Sequence, residues 1–142
     1  MTDLMLIAHV GAQTIAIDAK QVEGVVDIAS VVPVPFAAPH ILGLAAIRSQ
    51  VLTVIDCSCA LGHSPSAATG RALVMIVDGH RYALRVDAVD DVVAAESADI
   101  TTLAPMAPAW ARAAVGCVDL GDRFAVLVDP AQLIVPFQAI AA

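Results

Sequence analysis

Short apolar runs alternate with short polar interruptions along almost the whole chain. The runs are rich in Val, Ile and Leu and are bounded by Gly, Pro and Asp, a pattern typical of β-strands. The predicted strands are Leu4–Val10, Gln13–Ile17, Val22–Ile28, Ile41–Ile47, Val51–Ile55, Leu73–Val77, Arg81–Val86, Val89–Ala94, Val115–Leu120 and Phe124–Val128. Gly11-Ala12, Asp78-Gly79 and Gly121-Asp122 favour hairpin turns between neighbouring runs.

The segments between these strands predict little helix. Three prolines between residues 33 and 39 favour an extended loop, because proline lacks the N–H that a strand ladder needs. Asp56–Leu61 is predicted as one helical turn and Gly62–Gly70 as a loop. Pro105–Ala114 is predicted to be irregular or briefly helical, and a short C-terminal helix begins at Pro130.

The strand pattern contains an internal repeat. Residues 41–56 are echoed at residues 114–129, and residues 15–26 are echoed at residues 82–93. In the first echo the matching positions include Gly43 with Gly116 and Asp56 with Asp129, each pair 73 residues apart. Two echoes in the same order indicate a duplicated β unit.

We therefore predict one domain, residues 1–142, that contains approximate repeat units 1–66 and 67–142. A unit of roughly 70 residues is marginally stable alone, so the two units are expected to pack on each other. Short, evenly spaced strands favour small β-barrels over a βαβ fold.

Composition narrows the class of protein. The 142 residues are 59% hydrophobic, which supplies an ample core and leaves apolar residues for an interface. The net charge of −7 disfavours nucleic-acid binding, because an acidic surface repels phosphates. Three cysteines without an export signal favour the reducing cytoplasm. The longest charge-free run, residues 28–47, contains three prolines, so no membrane insertion is predicted.

Asp56 and Asp129 end equivalent apolar strands of the two copies. We interpret each as a structural cap whose carboxylate accepts a hydrogen bond from the following helical turn. The enzyme alternative is a proton-sharing carboxylate pair like that of the aspartic proteases. Neither copy has the Ser or Thr and then Gly that usually follow such an aspartate.

A second alternative is a metal-binding module. Cys57, Cys59 and His63 form a C-x-C-x3-H run, and thiolates and imidazole are zinc ligands. The spacing is not that of a usual structural zinc pair, so no metal is predicted. No phosphate-binding loop and no nucleophile elbow occur either. The sequence therefore predicts no catalytic residue and no cofactor.

Two further features of the sequence are charged: a group of aspartates at a predicted strand edge and an arginine in a predicted turn. Asp87, Asp90 and Asp91 are interrupted by valines and are interpreted as a solvated strand edge. Arg48 lies in the tight turn of the first copy and has no equivalent in the second, where Gly121 stands. An arginine on a rigid loop beside apolar surface is a common interface residue, although it also fits a solvent-facing turn.

Residues 38–56 read APHILGLAAIRSQVLTVID. This run resembles the central signature of the CheW-type chemotaxis coupling proteins, which contains P-x-[YFH]-[IL]-x-G and then [LI]-R-G. Val86-Asp87-Ala88-Val89 and Leu120-Gly121-Asp122-Arg123 match further family patterns in the same order.

The resemblance implies two intertwined, pseudo-duplicated five-stranded SH3-like β-barrels and a cytoplasmic adaptor without catalytic activity. It implies two partners, the regulatory domain of a chemotaxis histidine kinase and the cytoplasmic tip of a methyl-accepting chemoreceptor. The partner-binding residues that it implies are Val22, Gly43, Arg48, Ser49, Val51 and Val89.

The chain departs from the family signature at two positions. Ser49 replaces the glycine that follows the arginine, and Thr53 replaces a proline. If the turn requires a positive φ, Ser49 carries a steric cost that glycine avoids.

Overall fold

The computed structural model describes residues 3–62, 70–98 and 108–134. Over these residues the chain forms eleven strands, two short α-helices and a 3₁₀ turn at Ala19–Gln21. The strands are β1 (Asp3–Val10), β2 (Gln13–Asp18), β3 (Gly24–Ile28), β4 (Ile41–Ile47), β5 (Gln50–Asp56), β6 (Gly70–Val77), β7 (His80–Arg85), β8 (Ala88–Ala95), β9 (Ser97–Ala98), β10 (Ala114–Asp119) and β11 (Phe124–Val128). The helices are α1 (Cys57–Ala60) and α2 (Pro108–Ala113), and residues 130–134 are also helical.

The strands form two sheets. The first sheet has the order β8-β1-β2-β11-β10-β9, and the second has the order β3-β6-β7-β5-β4. Strands β1, β2, β3, β4 and β5 of the first copy correspond to β6, β7, β8, β10 and β11 of the second. When each strand is replaced by its counterpart, the order of one sheet becomes the order of the other, apart from the two-residue β9 at one edge. The predicted pair of duplicated five-stranded units, with short helical turns and a short C-terminal helix, is confirmed.

Each sheet takes strands from both halves of the chain. Strand β3 lies beside β6 in the second sheet, and β8 lies beside β1 in the first. Each sheet also contains one parallel pair, β2 with β11 and β5 with β7. The two copies are therefore interleaved rather than placed side by side.

Three apolar clusters fill the molecule. The inter-sheet core joins both sheets and includes Leu6, Ile15, Ile17, Ile55, Leu73, Leu84, Trp110 and Leu133. A second cluster lies within the second sheet, around Leu52, Val54 and Val74. A third lies within the first sheet, around Met5, Ile7 and Ala125. Strands with both faces buried read as continuous apolar runs, which explains the high apolar content.

The repeat is visible in the hydrogen bonds of the backbone. The β4–β5 ladder shifts register between Ile41 and Gly43, and the β10–β11 ladder shifts between Ala114 and Gly116. The Asp56 N–H donates to the His40 carbonyl at 2.7 Å, and the Asp129 N–H donates to the Ala113 carbonyl at 2.9 Å. Both features recur 73 residues apart, so the two copies share the same bulge and the same strand end.

Asp87 is exposed, as the edge interpretation expects, but it also connects the two sheets. Its carboxylate accepts hydrogen bonds from Arg85 Nη1 at 2.7 Å and from the Gly11 N–H at 2.5 Å. These contacts tie the end of β7 to the β1–β2 turn, and hence the second sheet to the first. The Gly11 N–H and the Arg85 guanidinium lower the pKa of Asp87. Asp90 and Asp91 are exposed on β8, which is an edge strand.

No helix among the described residues is both long and apolar enough to cross a membrane.

Candidate functional site

The β4–β5 hairpin carries four of the six predicted partner-binding residues. Ile47 pairs with Gln50, so Arg48 and Ser49 alone form the turn. Their φ angles are 52° and 67°. A two-residue loop with both φ angles positive is a type I′ turn, whose twist matches that of the flanking strands.

This turn is strained at both positions. The left-handed region costs a non-glycine residue roughly 1–2 kcal/mol. The Asp78-Gly79 turn of the β6–β7 hairpin has the same geometry, with φ of 51° and 79°, but uses the favoured Asp-Gly pair. The condition under which Ser49 is expected to carry a steric cost, a positive φ, is therefore met. Backbone strain at non-glycine residues clusters at functional sites.

We expect Ser49→Gly to raise the free energy of unfolding by about 1 kcal/mol, because glycine adopts a positive φ without a clash. Urea denaturation followed by circular dichroism would measure the gain. Ala12→Gly in the β1–β2 turn, where Gly11 alone has a positive φ, is the control and should give no gain. An unchanged midpoint for Ser49→Gly would mean that this turn is not strained.

Arg48 also has a free charge. Arg71, Arg81, Arg85 and Arg123 each form an ion pair with a carboxylate. Arg48 is exposed and forms no ion pair within the described part of the chain. Its guanidinium can therefore form a bidentate pair with a carboxylate of another molecule.

The outward face of this hairpin is apolar. Leu44 pairs with Thr53 and Ala46 pairs with Val51 across β4 and β5. Val51 is 66% exposed and Leu44 is 37% exposed. We call Leu44, Ala46, Val51 and the Arg48-Ser49 turn the hairpin face. It combines exposed apolar side chains with one unpaired cation, a common composition for a protein interface.

Gly43 is buried beneath the chain segment that precedes β4. A Cβ atom at Gly43 would lie 2.2 Å from the Val32 carbonyl oxygen and 2.8 Å from Val31 Cγ1. Val32 and Leu44 exchange two backbone hydrogen bonds of 2.8 and 2.9 Å at this point. Gly43 therefore positions the Val31-Val32 segment on β4 and presents no side chain to a partner.

Val22 and Val89 lie away from the hairpin face. Val22 follows the 3₁₀ turn and lies outside β3, whereas the sequence placed it at the start of that strand. Val22 and Val89 are 67 residues apart, as in the second echo, and both pack against the inter-sheet core. Val22 also lines a groove of about 470 Å³ with Lys20, Met75 and Ala131. We call this the inter-sheet groove.

Asp56 and Asp129 occupy equivalent positions in the two copies. Asp56 Oδ1 accepts the Ser58 N–H at 3.1 Å, and Asp129 Oδ1 accepts the Ala131 N–H at 3.1 Å. Asp56 is buried at the start of α1. Each carboxylate thus holds the backbone of its own helical turn, as N-cap residues do.

The cysteines do not support a metal centre. Cys57 lies in the inter-sheet core, and burial raises the pKa of its thiol far above the usual range. Burial also raises the pKa of Cys59. Among the described residues no three metal-binding side chains cluster, and His63 lies outside the described residues.

Phe36 is a surface feature that sequence reasoning missed. Residues 34–37 form a turn in which the Ala37 N–H donates to the Val34 carbonyl at 3.4 Å. Phe36 has a φ of 61° and its side chain is fully exposed. The signal in the sequence was Pro35, since proline is common at the second position of a turn whose third residue has a positive φ.

Comparisons with known proteins agree with this architecture. The family model for the CheW-like domain matches residues 4–136. A relative from Rhizobium meliloti (strain 1021), named chemotaxis protein CheW, is 27% identical over 124 residues, which cover 85% of this chain and 80% of the relative. The crystal structure of the scaffolding protein TtCheW from Thermoanaerobacter tengcongensis is similar in fold, with a TM-score of 0.78, 18% identity, and coverage of 91% of this chain and 90% of that one. The family model spans nearly the whole chain, so this protein belongs to the CheW-like domain family.

Proposed function

We propose that this protein is a cytoplasmic, non-catalytic adaptor that couples a methyl-accepting chemoreceptor to a chemotaxis histidine kinase. The observation that carries the proposal is the Arg48-Ser49 turn. It holds an exposed arginine at a positive φ beside exposed apolar side chains, and this arginine forms no ion pair with any residue that the structure describes. Two non-glycine residues with positive φ angles are an unfavourable choice for a turn, and the composition of this turn is that of a binding surface. The curated relative and the structural neighbour are named as a chemotaxis protein and a scaffolding protein.

Two separate surfaces support two simultaneous partners. The hairpin face protrudes at the edge of the second sheet, since β4 is an edge strand. The inter-sheet groove is concave and contains Val22. We assign the kinase regulatory domain to the hairpin face and the receptor tip to the inter-sheet groove. An adaptor needs this separation because both partners must bind at once.

Two kinds of contact would stabilise the complex formed at the hairpin face. Burial of Leu44 and Val51 would supply affinity at roughly 25 cal/mol per Å² of apolar surface. Arg48 would fix the register by pairing with a partner carboxylate. The two carboxylates repeated in the chain, Asp56 and Asp129, each accept a hydrogen bond from the backbone of the following helical turn.

Arg48→Glu is expected to weaken binding of the kinase regulatory domain by about 10- to 100-fold, because a like charge would face the partner carboxylate. Isothermal titration calorimetry with the kinase domain from the same organism measures the change. Thermal unfolding should be unaffected, since Arg48 forms no ion pair within the described part of the chain.

Arg71→Glu is the matched control, because Arg71 is an exposed arginine that pairs with Asp27 on β3 of the same sheet. Its binding constants should stay within about twofold of the wild type. If Arg48→Glu bound the kinase domain as well as the wild type does, the assignment of Arg48 would be wrong. If the wild type bound neither the kinase domain nor the receptor tip, the proposed function would be wrong.

A further inference from the structure

The Pro35-Phe36 turn is unfavourable for the isolated protein in two ways. Its geometry, with proline second and a positive φ third, is that of a type II turn, whose third position favours Gly or Asn. A phenylalanine there is strained, and its ring is fully exposed to water. Neither cost is offset by burial of the ring within the protein. A residue kept under these conditions suggests a role outside the fold.

The segment that carries Phe36 is fixed to the second sheet. Val32 pairs with Leu44 in an antiparallel bridge, and Val31 packs inward against the cluster of the second sheet. Val32 is 68% exposed and Val34 is 40% exposed. Exposed apolar side chains therefore continue from the hairpin face onto this segment. We call Phe36, Val34, Val32 and the hairpin face together the apolar stripe.

The length of the apolar stripe can be estimated from the Val32–Leu44 bridge. The segment runs antiparallel to β4, so Phe36 and Arg48 lie in opposite directions from the Val32–Leu44 pair. Phe36 is four positions along the chain from Val32, and Arg48 is four positions from Leu44. At about 3.3 Å per residue, the stripe is at most about 26 Å long. That length suits a standard interface of roughly 800 Å² on each partner.

Backbone strain is concentrated on the apolar stripe. In the described ranges the non-glycine residues with a positive φ are Phe36, Arg48, Ser49 and Asp78. Asp78 belongs to a favoured Asp-Gly turn, and the other three lie at the two ends of the stripe. In the described part of the second copy, α2 takes the place of the Pro35-Phe36 turn before β10, and Gly121 stands at the position of Arg48.

We propose that Phe36 is an anchor residue that enters an apolar pocket on the kinase regulatory domain, and that the apolar stripe is one continuous interface from Phe36 to Arg48. This inference rests on the proposed function. The kinase regulatory domain is the partner because the stripe continues the hairpin face, which the proposed function assigns to that domain. The partner must also place a carboxylate about 26 Å or less from that pocket to pair with Arg48.

Phe36→Asn separates binding from folding. Asparagine tolerates a positive φ and removes the apolar ring, so the variant should unfold at the same or a higher temperature. Calorimetry should show kinase-domain affinity reduced at least tenfold and affinity for a receptor-tip fragment within twofold of the wild type. Phe36→Leu, which keeps an apolar side chain, should retain part of the lost affinity.

Phe124→Asn is the control, because Phe124 is 67% exposed on β11 of the other sheet. It should bind the kinase domain within twofold of the wild type. The inference is overturned if Phe36→Asn binds the kinase domain normally, or if it loses the receptor tip instead. If Phe36→Asn binds the kinase domain normally but Arg48→Glu binds it more weakly than the wild type, only the inference about Phe36 is wrong. If the wild type binds neither partner, the inference and the proposed function are both wrong.

Discussion

Gly43→Ala is expected to lower the free energy of unfolding by about 3 kcal/mol. The added Cβ would lie 2.2 Å from the Val32 carbonyl oxygen, far inside van der Waals contact. That oxygen belongs to backbone held on β4 by two hydrogen bonds, so it cannot move without breaking them. Overpacking of this kind costs roughly 1–3 kcal/mol, and the φ of 144° adds backbone strain. Urea denaturation followed by circular dichroism measures the loss.

Two glycine controls divide this cost into its parts. Gly24→Ala meets no atom within 4 Å and has no positive φ, so its stability should be unchanged or slightly higher. Gly79→Ala has a φ of 79° in open space, so it should lose about 1 kcal/mol from backbone strain alone. A Gly43→Ala variant as stable as Gly24→Ala would show that the Val31-Val32 segment does not lie against β4.

The position of Gly43 also bears on partner binding. Because Gly43 is buried, a substitution there acts on a partner through the segment that it displaces. Val32, Val34 and Phe36 belong to that segment. Loss of binding in a Gly43 variant would therefore report the position of the apolar stripe rather than a direct contact.

Asp56→Ala is expected to lower the free energy of unfolding by about 3 kcal/mol. Loss of an N-cap costs roughly 0.5–2 kcal/mol, and a buried donor left without its acceptor adds to this. Asp56 is completely buried, so water cannot replace the carboxylate that the Ser58 N–H uses. Chemical denaturation of the purified variant measures the effect.

The repeat supplies the matched control. Asp129 makes the same hydrogen bond to Ala131 at the same distance but is only partly buried. Asp129→Ala should therefore lose about 1 kcal/mol, the ordinary value for a cap. Asp56→Asn keeps a side-chain oxygen for the Ser58 N–H and should lose less than Asp56→Ala. Equal losses at Asp56 and Asp129 would mean that burial does not matter to this cap.

Local patterns in the sequence were sufficient to predict the strands. Asp78-Gly79 and the Val-rich runs around it specify the β6–β7 hairpin without help from the rest of the chain. Strand β9 was missed because it has only two residues, Ser97 and Ala98, which are too few to show the alternation of apolar and polar residues that marks a strand. The predicted start of β3 was too early. Val22 was taken as a strand residue because it is apolar, but its side chain packs against the inter-sheet core from outside the strand.

Features that depend on distant partners could not be predicted. The link that Asp87 makes between the sheets was missed because its carboxylate accepts from the N–H of Gly11, 76 residues away. The requirement for glycine at position 43 depends on Val32, which lies on a separate segment. The resemblance singled out Arg48, but only the structure showed that both turn residues have a positive φ and that Arg48 has no ion pair among the described residues. Which partner contacts Val22, Val51 and Val89 remains a prediction.

The interleaving of the two copies has a consequence for the origin of the molecule. Each copy gives its first two strands to one sheet and its last three to the other. A single copy therefore cannot complete either sheet, and two separate copies would complete both by exchanging strands. An ancestral half-length chain would have been an obligate homodimer with two identical hairpin faces. In the present chain the two faces differ, since Arg48-Ser49 in one copy corresponds to Gly121-Asp122 in the other.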